Sequence, residues 1–137
     1  MSTLVISTAA ILLVVLPTVA YGGVSILRLV YIKRSDYMQN DLRRRFWRAG
    51  HAHAGVFLIL SLVALLYLDA AQLSTGLKSL ITWLIPGAAI LVPAAFFFSV
   101  AAPDAEKPNA LINLAYLGFA SLTVGLVLLG AGLFLAL

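Results

Sequence analysis

The chain has 137 residues, 63% of them hydrophobic and 10% charged, with a mean hydropathy of +1.07, which excludes an ordinary water-soluble domain and implies one small integral membrane domain over residues 1–137. There is no cysteine, so disulfides, iron–sulfur ligation, thiolate zinc sites and covalently attached haem are excluded. The net charge of +4 is concentrated, with seven of the nine Lys and Arg residues lying between Arg28 and Arg48, and this reports membrane topology rather than affinity for nucleic acid.

A helix needs about 20 apolar residues to cross a bilayer, and four stretches meet that length. The first covers about 4–31 and carries Pro17, Gly22-Gly23 and Arg28. It is longer than one bilayer requires, so it is expected to tilt, to kink near Pro17 or to project. Thr18-Val19-Ala20 looks like a cleavage site, but no basic residue precedes it and the apolar pattern runs on to Val30, so the span is read as retained.

The connection that follows holds Lys33, Arg34, Arg43, Arg44 and Arg45, with Arg48 just beyond. The positive-inside rule places it in the cytoplasm. Residues 35–45 have room for a short interfacial helix with Tyr37, Met38, Leu42 and Phe46 toward lipid. The second span is expected at about 46–68 and the third at about 80–100, bent by Pro86 and Pro93. The fourth is expected at about 110–135. Both termini and the 69–78 loop then lie outside and the 104–108 turn inside, in a multi-pass protein of the cell's inner (cytoplasmic) membrane.

Gly118, Ser121, Gly125, Gly130 and Gly132 give the fourth span a small-residue stripe. Such stripes let helices approach closely, within the chain or between subunits. Asn113 and Tyr116 are expected to tie helices together. Tyr21, Tyr31, Tyr67 and Trp83 read as interfacial belt residues. The fold class is all-α, a four-helix transmembrane bundle.

Chemistry concentrates in Arg48-Ala49-Gly50-His51-Ala52-His53-Ala54-Gly55, which contains both histidines of the chain. An ionisable side chain within a span marks a functional site by default. Residues i and i+2 on a helix stand about 200° apart, so the two imidazoles serve two sites, or one site shared between subunits. Gly50, Ala52, Ala54 and Gly55 leave room for a flat cofactor. Arg43, Arg44, Arg45 and Arg48 suit carboxylates such as haem propionates, although topology alone also accounts for them. Trp47 is placed to flank a macrocycle edge, or to anchor the interface. No Asp, Glu or Lys sits mid-span, and no phosphate loop or nucleophile–base pair occurs, which argues against an ion pump or a self-contained hydrolase or transferase.

His51-Ala52-His53 on the second of four helices resembles one four-helix arc of the main subunit of the haem-copper oxidase superfamily. There, twelve helices form three arcs, and one second helix carries His-Phe-His with its histidines on two different haems. The resemblance covers residues 48–55 and the helix count. It implies a symmetric homotrimer in which His51 of one copy and His53 of the next are the axial ligands of a haem b. The chain departs from the superfamily in two respects. Its histidines fall toward the cytoplasmic side, and it has no further histidine for a copper site.

The expected function is membrane haem b binding through His51 and His53, with electron transfer or gas sensing as its consequence. The alternatives are an oligomer that binds or transports copper or zinc through the same histidines, and a structural accessory subunit of a membrane complex. The expected partners are other copies of the chain and the lipid bilayer; a redox partner is not legible, and no nucleic acid is expected.

Overall fold

A computed structural model describes residues 2–34, 37 and 39–137. Its described residues form four long helices, α1 (Thr3–Tyr31), α2 (Asp41–Tyr67), α3 (Thr75–Phe98) and α4 (Asn113–Phe134), with a 3₁₀ turn (Ala110–Ile112) leading into α4. No strand occurs among the described residues. Each helix is long and apolar enough to cross a membrane, so the chain is built as a multi-pass membrane protein.

The helices start where the sequence supplies an oxygen for the free backbone N–H groups of the first turn. Ser2 accepts from Val5 N, Asn40 from Arg43 N and Ser74 from Leu77 N. These caps move two boundaries. α2 begins at Asp41, ahead of its apolar run, and α3 begins at Thr75. Arg43, Arg44 and Arg45 therefore belong to α2, and no separate interfacial helix extends to Arg45; Ser35, Asp36 and Met38 lie outside the described residues. α1 runs unbroken through Pro17, and α3 through Pro86 and Pro93.

α3 is the centre of the bundle. Ile81, Ile85, Ala88, Val92 and Ala95 recur at helical spacing and are almost wholly buried. α4 lies against this face. A methyl group added at Gly118 would stand 2.5 Å from Val92 Cγ2, and one at Gly125 would stand 2.6 Å from Ile85 Cγ1. Gly132 lies equally close to Leu73 in the α2–α3 connection, and Ser121 Oγ donates to Leu84 O at 2.7 Å. The stripe on α4 is thus used inside the chain, apart from Gly130, which faces open space. Asn113 and Tyr116 do not tie helices together here; both are exposed on the outward face of α4, because Ala115 and Gly118 occupy the buried one.

α2 covers the other side of α3, and α1 leans on α2. Only 11% of the most apolar window of α1 is buried, against 44% for α3. Val14, Leu66, Ile90 and Val127 are each largely exposed on a different helix, as the solvent of this fold requires. Tyr21, Tyr31, Tyr67 and Trp83 are exposed too.

Candidate functional site

α2 presents His51 and His53 on opposite flanks. His51 faces α1 at Gly22-Gly23. A methyl group at Gly23 would lie 3.0 Å from His51 Nε2, and one at Gly22 would lie 3.5 Å from Nδ1. The two glycines of α1 are therefore the space into which this imidazole fits. Beside it, Gly23, Ile26, Leu27 and Val30 of α1 face Tyr37, Arg44, Arg48 and His51 across a crevice of about 470 Å³. That size lies within the range of sites for small molecules and cofactors. One end is apolar and the other carries two guanidinium groups.

His53 faces α3 and α4. Its ring stacks on Phe96, with centroids 5.2 Å apart and planes at 21°, and meets the edges of Phe57 and Phe119 at 5.3 and 5.8 Å. Its Nδ1 lies 2.7 Å from Ala49 O. A carbonyl oxygen only accepts, so Nδ1 carries a proton and donates, which leaves Nε2 outside this bond. This is the arrangement that fixes a metal-ligating histidine. His53 also lines a shallow hollow of about 190 Å³ with Ala52, Val56 and Phe57.

The basic run is divided among three tasks. Arg44 and Arg45 both bond to Asp41, at 2.5 and 2.6 Å. These partly exposed pairs add little to stability. The guanidinium of Arg43 lies 4.4 Å over the Trp47 ring, which also meets Tyr37 at 5.9 Å and Phe97 at 6.2 Å. Arg48 remains exposed at the crevice.

Of the sequence candidates, the crevice unites His51, Arg48 and Arg44. It does not include His53, Arg45, Trp47, Gly50 or Gly55. Gly50 instead lies under Phe96 and Phe97, and Gly55 opposite Val19, where each clears space for a neighbouring helix. Among the described residues no three His, Cys, Asp or Glu side chains come together as a metal site. Tyr37 is the residue that sequence reasoning misplaced. Expected toward lipid, it is 1% exposed, because its ring packs on Trp47. Arg43 and Trp47, four residues apart on one helix face, were the signal that a ring would dock there.

No protein-family model, no curated protein and no solved structure matches the chain.

Proposed function

We propose that the chain binds haem b within the inner membrane as a symmetric homo-oligomer, three copies favoured. His51 of one copy and His53 of the next would hold its iron. Its basic α1–α2 connection faces the cytoplasm and its termini lie outside. The observation that carries this reading is the crevice itself, where an imidazole, two arginines and an apolar wall of α1 meet. A haem has the same division, with an iron for the imidazole, an apolar macrocycle and two carboxylates. The two histidines stand on opposite flanks of α2, so one chain cannot supply both ligands to one iron. A second copy is therefore part of the reading, and cyclic symmetry gives each copy the same interface.

The residues of the chain hold and orient the group. Ala49 O accepts from His53 Nδ1 and leaves Nε2 outside that bond. Gly22 and Gly23 admit the His51 ring. Arg44 and Arg48 offer fork-shaped donors to carboxylates. Bound haem would supply a one-electron iron couple, which suits electron transfer or gas sensing.

An absorption spectrum of protein purified from haem-supplied cells tests the reading. A Soret band that is lost in both His51→Ala and His53→Ala, with a trimer of three haems by native mass spectrometry, is the expected result. A haem-loaded monomer overturns the shared site. Bound copper or zinc without a Soret band makes the histidines a metal-ion site, and neither makes the chain a structural subunit. For the topology, a cysteine introduced as Gln39→Cys is expected to resist labelling from outside intact cells.

A further inference from the structure

Tyr37 carries a polar atom that the fold does not use. Its side chain is 1% exposed, and its hydroxyl has no hydrogen-bond partner among the described residues. A buried, unsatisfied hydroxyl is destabilising, so its persistence asks for a ligand. Tyr37 lines the same crevice as Arg44, Arg48 and His51. Burial holds its phenol above the ordinary range, with Arg48 and Arg44 opposing, so at neutral pH it is a protonated donor. Arg44 shares Asp41 with Arg45, and Arg48 is exposed at the opening. One neutral O–H donor beside two guanidinium groups is a donor set for an oxyanion. Away from it, the wall turns to Ile26, Leu27 and Val30 of α1, which suits an apolar body and not a free inorganic ion.

We propose that Tyr37, with Arg44 and Arg48, forms an anion seat at the basic end of the α1–α2 crevice, which takes the carboxylate or phosphate of an amphiphile whose apolar body lies along Ile26, Leu27 and Val30. If the amphiphile is haem, the seat holds a propionate and rests on the haem reading. If it is an anionic phospholipid, the seat holds the headgroup phosphate and stands without that reading.

The test compares wild type, Tyr37→Phe and the double variant Arg44→Gln/Arg48→Gln, with Lys107→Gln as a charge control outside the crevice. Each is titrated in detergent with haem b and with haem dimethyl ester, and examined by native mass spectrometry with phosphatidylglycerol and phosphatidylcholine. Tyr37→Phe keeps the ring and removes only the orphan hydroxyl, so the empty protein is expected to melt no lower than wild type. Haem b affinity is expected to fall about tenfold in Tyr37→Phe, and affinity for the ester to stay unchanged. Haem bound as tightly as its ester, and unaffected by Tyr37→Phe, overturns the seat and leaves the haem reading intact. If wild type takes no haem, that reading fails. A preference for phosphatidylglycerol that is lost in Tyr37→Phe and in the double variant, and kept in Lys107→Gln, then assigns the seat to lipid phosphate. The absence of such a preference overturns it.

Discussion

Two seams of this bundle use glycine for opposite ends. Where α4 meets α3, Gly118 and Gly125 remove side chains so that two backbones close on one another, and Ser121 adds a hydrogen bond across the joint. Where α1 meets α2, Gly22 and Gly23 remove side chains so that an imidazole can enter. The first seam ends as a continuous packed core and the second as a crevice. In a membrane, lipid tails are as apolar as the side chains, so close packing rather than hydrophobicity holds helices together. A seam that gives up packing for a ring and an open volume gives up stability.

The largest effect should come from filling the tight seam. Gly118→Val drives a branched side chain into Val92 and Leu91 and is expected to cost about 1–3 kcal/mol, read as a lower unfolding midpoint in detergent. Gly23→Val should act differently. It pushes on the His51 ring in a loosely packed seam, so under the proposed haem reading haem retention is expected to fall about tenfold, equivalent to about 1.4 kcal/mol, while the unfolding midpoint stays near that of wild type. If Gly23→Val unfolds the protein as strongly as Gly118→Val does, the two seams are alike and the comparison fails. Ser121→Ala removes the bond to Leu84 O and is expected to cost about 0.6 kcal/mol, the usual size for a hydrogen bond between membrane helices. The smallest effect belongs to Gly130→Ala, where a methyl group meets nothing within 4 Å. It should be neutral, or stabilise by up to about 1 kcal/mol through helix propensity. A marked loss there would show that a neighbouring copy covers Gly130.

The four helices were legible because the bilayer demands long apolar runs, and the chain has four. The start of α2 was less so. Arg43, Arg44 and Arg45 lower the hydropathy there, and only the Asn40 cap marks the true boundary. The opposed placement of His51 and His53 followed from helical geometry alone. Their surroundings did not, because Phe96 and Phe119 come from other helices and sequence spacing says nothing about which rings will meet His53. Gly22-Gly23 read as an interruption of the first span, yet its role depends on a histidine on the next helix. Tyr37 was read by its amphipathic character, which suits lipid as well as it suits a place under Trp47; the choice was made by tertiary contact.

Asn40 joins the two halves of the molecule in time as well as in space. Its side-chain oxygen accepts from Arg43 N at 2.9 Å, a local bond that forms as soon as α2 does. Its side-chain nitrogen donates to Pro103 O and Ala105 O at 3.0 and 2.9 Å, on a loop 63 and 65 residues further along the chain. During synthesis the first helical hairpin must therefore enter the membrane with this latch half made. The two amide bonds can form only once the third helix is in place and the 103–105 loop lies beside the start of α2.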